Sequence, residues 1–177
     1  MGLTTARLTL RRWRPSDREP FARMNADPEV MRYMVRPLTN EESDAFIDRA
    51  ERHFDDHGFG LWAVEVSTQG SFIGYVGLSI PRFEAHFMPA VEVGWRLDRP
   101  HWGNGYATEA ARAAMTDGFE RIGLKEIVSF TVPVNLRSIA VMERLGMTRN
   151  PVDDFDNPNV PRGHPYRRHV LYRLAAP

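Results

Sequence analysis

A helix that begins directly behind a glycine-rich turn presents unsatisfied N–H groups and a partial positive charge. Residues 91–110, VEVGWRLDRPHWGNGYATEA, spell such a junction. An apolar strand at Val91–Leu97 leads through Trp102 into Gly103-Asn104-Gly105, and an alanine-rich helix opens at Tyr106-Ala107-Thr108. Glycines ahead of a helix let an anion approach the backbone closely. The chemistry on offer is the cradling of a diphosphate. A tight strand-to-helix turn with no ligand uses the same residues, and Gly-Asn-Gly by itself does not choose between the two.

The composition of the turn excludes some diphosphates. A P-loop needs a lysine and a hydroxyl residue after its last glycine, but Gly105 is followed by Tyr106 and Ala107. A dinucleotide fingerprint Gly-x-Gly-x-x-Gly would need glycine at position 108, which is threonine. The chain has no cysteine, so disulfides, thiolate metal sites and cysteine nucleophiles are excluded together. His164 and His169 lie near Asp154 and Asp156 in sequence, but their spacing matches no ligand motif, and no metal is expected. With 23 basic and 23 acidic residues the net charge is zero, which argues against nucleic acid as a partner. Charges interrupt residues 1–20 before any apolar run of signal length, so neither a membrane segment nor secretion is expected, and the setting reads as cytoplasmic. A length of 177 residues suits one domain, 1–177, that buries roughly 70% of its unfolded surface.

The elements that must hold this turn follow from periodicity. Arg7–Trp13 alternates as a first strand, and the spacing of Ser16 and Glu19 predicts a capping box for a helix to Ala26. Asp27-Pro28 ends that helix, and a short helical turn follows to Met34. Thr39 and Glu42 repeat the capping spacing ahead of Phe46, Ile47, Ala50 and Phe54, predicting a helix over 40–57 closed by Gly58. The period then changes to two. Leu61–Val66, Phe72–Ile80 and Val91–Leu97 read as strands, with Gly74 and Gly77 marking a bulge or a close backbone approach. Ala107 to Ile122 forms a helical stripe whose opposite face carries Asp117 and Arg121, read as a solvated pair. Glu126–Val132 is a strand, Asn135–Leu145 a helix closed by Gly146, and His169–Leu174 the last strand. The four prolines of 150–165 predict a loop or flap instead of an element. The fold class is α/β, one mixed sheet with helices on its faces.

Two strand–helix pairs, 91–122 and 126–145, stand side by side. If their strands splay, a slot leads from the cradle into the sheet, and a long thin ligand with a central pyrophosphate fits it. Coenzyme A has that shape. Here the chain resembles a known family. GWRLDRPHWGNGYATEA looks like the acyl-CoA motif of the GNAT N-acetyltransferases, in the branch that holds the ribosomal-protein N-terminal acetyltransferases. VPVNLRSIAVMERLGM looks like that fold's second cofactor motif, and NADPEVMRYM and the DFDNPNVPRGHPYRRHVLYRL tail extend the likeness over nearly the whole chain. The resemblance implies a mostly antiparallel sheet with a central splay and acetyl-CoA as co-substrate. Trp102, Gly103, Asn104, Gly105, Tyr106, Ala107 and Thr108 would then cradle the diphosphate. Trp95 and Leu97 would pair their backbone with the pantetheine arm, and Asn135 and Ser138 would touch it from the other side. Trp102 stands where the family usually has glutamine or arginine, so a charged contact is missing. Arg99, Arg137 and Arg144 read either as ribose-phosphate contacts or as surface charges.

The implied reaction is attack of a primary amine on the thioester. It requires a neutral amine, a polarised carbonyl and a stabilised thiolate. Glu92 is the base candidate, and its competing reading is a carboxylate paired with arginine. Many relatives carry tyrosine where this chain has Met142, which cannot donate a proton, so Ser138, Tyr75 and water remain as thiolate partners. Trp62, Phe72 and Tyr75 are either pocket walls or core. An α-amine, with pKa about 7.7–8.0, is neutral to roughly a tenth at pH 7, whereas lysine near 10.4 is neutral to below about a thousandth. Weak acid–base equipment therefore suits a protein N-terminus or a low-pKa small-molecule amine. The alternative is a non-catalytic acyl-CoA-binding module. Edge strands leave a homodimer open without requiring it.

Overall fold

Apolar alternation produces strands that join in one sheet. The computed structural model describes residues 2–177. Its strands are β1 (Leu3–Thr4), β2 (Leu8–Arg11), β3 (Leu61–Val66), β4 (Ser71–Ser79), β5 (Glu92–Leu97), β6 (Glu126–Thr131), β7 (Thr148–Arg149), β8 (Phe155–Asp156) and β9 (Arg168–Ala175). The α-helices are α1 (Arg18–Ala26), α2 (Asn40–His57), α3 (Tyr106–Asp117) and α4 (Leu136–Arg144). Sheet order is β1-β2-β3-β4-β5-β6-β9-β7, with β8 also on β9. Every pairing is antiparallel except β5–β6, which is parallel and meets at Glu92 and Val128 alone. Beyond that single pair the two strands diverge, which is the expected central splay.

The two faces of the sheet bury different clusters. On one, Val76, Leu78, Val93 and Leu97 pack with Ala110, Ala111 and Met115 of α3. The alanines let α3 lie close to the strands. On the other, Ala63 and Tyr75 meet Trp13, Phe21 and Met24 near α1, and Ile47 and Ala50 of α2. Gly74 and Gly77 mark close approach, because a Cβ would lie 2.2 Å from the Arg96 carbonyl oxygen and 2.1 Å from that of Gly60. The register slips between Val64 and Glu65, opposite Gly74. Both readings of these glycines therefore apply.

Helix α2 begins and ends where the spacing placed it, with Thr39 and Glu42 forming the capping box and Gly58 at φ 73°. Three other expectations need correction. Ser16 and Glu19 do not cap α1; the Asp17 carboxylate accepts the Arg14 N–H at 2.7 Å and binds Arg11 as well. Segment 150–165 is more than a loop, since β8 pairs Phe155 with His169. Asp117 and Arg121 are more than a solvated pair, because Arg121 also donates to the Gly58 carbonyl at 3.1 Å and ties α3 to the end of α2.

Candidate active site

Divergence of β5 from β6 opens a cleft of about 2140 Å³ lined by both strands, the start of α3 and the start of α4. Along β5 the peptide groups alternate direction. Val91 accepts from the Val128 N–H at 2.9 Å, whereas Asp98 donates to Ile73 on β4 at 2.8 Å. Odd-numbered residues therefore aim their peptide groups at the splay. Trp95 and Leu97 share that parity, as a backbone-pairing ligand would need. Leu97 spends its carbonyl on the Trp102 indole N–H, at 2.7 Å.

Gly105 caps α3 at φ 79° and has no side chain to satisfy the helix terminus. Among the described residues, no protein acceptor takes an N–H from Gly103 through Thr108; the first helical bond is that of Glu109 to Gly105. A run of free amides at a helix N-terminus is an anion site. Gly103 shares the left-handed conformation, at φ 79°. The charge missing at Trp102 is supplied from α4, because the Arg137 guanidinium lies over its ring at 4.7 Å and faces the same cleft. Sequence gave no reason to prefer Arg137 over Arg99 or Arg144, since the pairing joins residues 35 positions apart.

The start of α4 is bound into itself. Asn135 accepts the Ser138 N–H at 3.3 Å and donates to Thr131 Oγ1 at 3.0 Å and Ser138 Oγ at 3.1 Å. Its amide is thus occupied in shaping the turn. Ser138 Oγ receives a hydrogen bond and keeps its own proton free to donate into the cleft.

Glu92 sits where β5 and β6 touch, half-buried between the main cleft and a second hollow of about 300 Å³. No cation lies within salt-bridge distance of it among the described residues, so the arginine-paired reading does not apply. Burial pushes its carboxyl up to about 8. Tyr75 shares the cleft floor, and burial raises its phenol as well. Met142 is buried in the core and does not line the cleft, so that position supplies no proton donor. Trp62 and Phe72 are not cleft walls; Trp62 packs on Phe54 at 4.2 Å and Phe72 on Trp13 at 5.6 Å. His169 lines the cleft, and burial lowers its imidazole below the usual range. Asp154 and Asp156 pair with Arg149, Arg167 and Arg168, and not with a histidine.

The twelve residues expected to act in catalysis or hold the coenzyme all line this one cleft: Glu92, Trp95, Leu97, the seven from Trp102 to Thr108, Asn135 and Ser138; of the three candidate arginines Arg137 and Arg144 line it and Arg99 does not. The residues missed lie at its other end. Tyr33 and Tyr166 stand edge to face at 6.1 Å across the mouth, and Arg96 projects from the floor. The NADPEVMRYM segment and the tail that follows the 150–165 flap hinted at this wall, and neither carries a local code for a pocket.

Comparison with known proteins gives the family. A family model described as an acetyltransferase (GNAT) domain matches residues 7–148. The FsC-acetyl coenzyme A-N(2)-transacetylase of Aspergillus fumigatus is 33% identical, over 88% of this chain and 67% of its own. Bacillus subtilis YkkB is 32% identical, over 82% of this chain and 84% of its own. The crystal structure of an acetyltransferase from Agrobacterium tumefaciens superposes with a TM-score of 0.79 at 29% identity, covering 98% of this chain and 94% of that one.

Proposed function

The chain belongs to the GNAT acetyltransferase family and uses acetyl-CoA, and from that premise we propose how its own residues serve the reaction. The six free amides from Gly103 to Thr108 take the diphosphate, with Arg137 as the neighbouring cation. This run of unpaired N–H groups at the mouth of a splay is the observation that carries the reading. The pantetheine arm lies along β5 against Trp95 and Leu97, and Ser138 faces it from α4. Residues 1–177 act together as one acyltransferase domain.

In the transfer step the lone pair of a primary amine forms an N–C bond at the thioester carbonyl. Collapse of the tetrahedral adduct breaks the C–S bond and releases CoA thiolate. Glu92 receives the proton that the amine loses, directly or through a water. A carboxyl held up to about 8 is a stronger base than an ordinary glutamate, once ionised. Ser138 offers its hydroxyl proton as a hydrogen bond to the thiolate, in place of the donor that Met142 cannot be. The acceptor is an α-amine or another low-pKa amine, on a protein N-terminus or a small molecule. The Aspergillus relative's name, an N(2)-transacetylase, supports an amine acceptor.

Calorimetric titration with acetyl-CoA tests the cradle. Native protein is expected to bind at micromolar concentration, and Gly105→Glu to lose at least tenfold. A side chain at φ 79° is strained, and its Cβ would lie 3.5 Å from the Arg7 guanidinium, at the helix start that the cradle uses. Amine-dependent release of CoA thiol then separates transfer from mere binding. No binding by folded native protein would sink the reading.

A further inference from the structure

The fold holds a cation in the acceptor half of the cleft without giving it a counter-ion. Arg96 lies on the face of β5 that also carries Glu92, opposite the face where Trp95 and Leu97 meet α3. Its register partner is Tyr75, whose ring lies 5.6 Å from the guanidinium. One fork nitrogen donates to Asn25 Oδ1 at 2.7 Å. Asn25 is fully buried and is held by fully buried Ser43 at 3.0 Å, which in turn donates to the Thr39 carbonyl at 2.9 Å. Two buried polar side chains thus fix the direction of one arginine. No carboxylate comes within 4.0 Å of it among the described residues, and its Nε and second fork nitrogen carry no protein partner. Leaving a half-buried cation unpaired is unfavourable until an anion arrives.

We propose that Arg96 recognises a carboxylate on the amine acceptor, so that the site selects amines bearing an anionic group. This rests on the transferase reading above. The coenzyme's phosphates are poor candidates for that anion, because the cradle belongs to α3 on the opposite face. Arg96 lies four residue steps along the strand from Glu92, roughly 13 Å between Cα atoms at about 3.3 Å per residue. Gly94 between them bears no side chain, and a Cβ there would meet only Glu92 Oε1, at 3.7 Å. The open stretch suits an acceptor whose amine and carboxylate are several bonds apart. A short peptide, or a protein N-terminus with an acidic residue close behind, has that form.

Two matched probe pairs carry the test, bound calorimetrically to the CoA-loaded protein. One is alanyl-aspartyl-alaninamide against its asparaginyl counterpart; the other is alanyl-alanine against alanyl-alaninamide. In at least one pair the acid is expected to bind native protein ten times more tightly or better. Preference within the first pair points to an acidic side chain, within the second to a terminal carboxylate. Arg96→Gln should bring that ratio to within threefold of one, Arg96→Lys should keep part of it, and both should bind acetyl-CoA as the native protein does. Acids and amides binding alike, a preference that survives Arg96→Gln, or no probe binding would each overturn the proposal. The native comparison needs no variant, so misfolding cannot mask it. Acid preference without amine-dependent thiol release would remove the transferase reading and leave Arg96 in its role.

Discussion

Two arginines share one cross-strand row, and the fold treats them oppositely. Arg11, Ala63, Tyr75 and Arg96 lie in register across β2, β3, β4 and β5. Arg11 is enclosed: its fork binds both Asp17 oxygens at 2.7 and 2.8 Å, and Glu65 at 2.6 Å. Those carboxylates hold its guanidinium well above its ordinary range against the opposing effect of burial. Arg96, on the other side of Tyr75, has only a neutral amide. Glu92, on its strand, has no cation at all. Arg11, which braces the fold, is closed on carboxylates, whereas Arg96 and Glu92, which face the cleft, are left incomplete for something that is not protein.

Breaking the closed member should hurt stability most. Arg11→Leu strips buried Asp17 of its guanidinium partner and leaves half-buried Glu65 only Arg14 at 3.3 Å; it is expected to lose about 3–5 kcal/mol in denaturant unfolding, while any folded fraction still binds acetyl-CoA. Breaking the open site should hurt turnover without hurting the fold. Glu92→Gln is expected to lower kcat on the order of 100-fold with acetyl-CoA affinity unchanged. The native rate should rise with pH toward about 8 more steeply than the variant's, whose rise follows the amine alone; an identical pH profile would remove Glu92 from the mechanism. The same variant sharpens the contrast through stability. Folded Glu92 keeps its proton between its ordinary value of 4.5 and about 8, whereas the unfolded chain loses it at the lower value. The folded state binds more protons in that window, so native stability falls as pH rises through it and levels off above about 8. Glu92→Gln should therefore match the native protein near pH 4 and exceed it at pH 8–9, by on the order of 1 kcal/mol or more. The smallest effect is expected at the exposed edge. Arg121→Ala removes an i,i+4 pair with Asp117 and one bond to the Gly58 carbonyl, and should cost no more than about 1 kcal/mol.

What was legible in the sequence follows the range of the interactions. The cradle could be read because its strand, glycines and helix start lie within twenty consecutive residues, and backbone amides need no distant partner. Helix α2 was legible because capping box and C-terminal glycine are local signals. The capping spacing of Ser16 and Glu19 fails at α1 because Arg11 draws Asp17 into a tertiary network that overrides the local box. Strand β8 was hidden by its prolines and exists only because β9 offers it an edge. The acceptor wall was least legible. It joins Asn25, Ser43 and Arg96, and nothing about an asparagine before Ala-Asp-Pro announces a bond to a strand seventy-one residues later.

Asn25 also closes a neck in the chain. Its carbonyl accepts the Leu38 N–H at 3.1 Å, while its side chain reaches Ser43 and Arg96. Everything between, Tyr33 included, is a loop pinched at its base by one residue. Such a loop can be lengthened or rewritten without moving the arginine beneath it, at roughly 0.6 kcal/mol per doubling in length. The chain thereby separates what can drift from what must stay. New acceptor preferences are open to it through exchange of a surface segment, over a charged floor that the rest of the molecule keeps still.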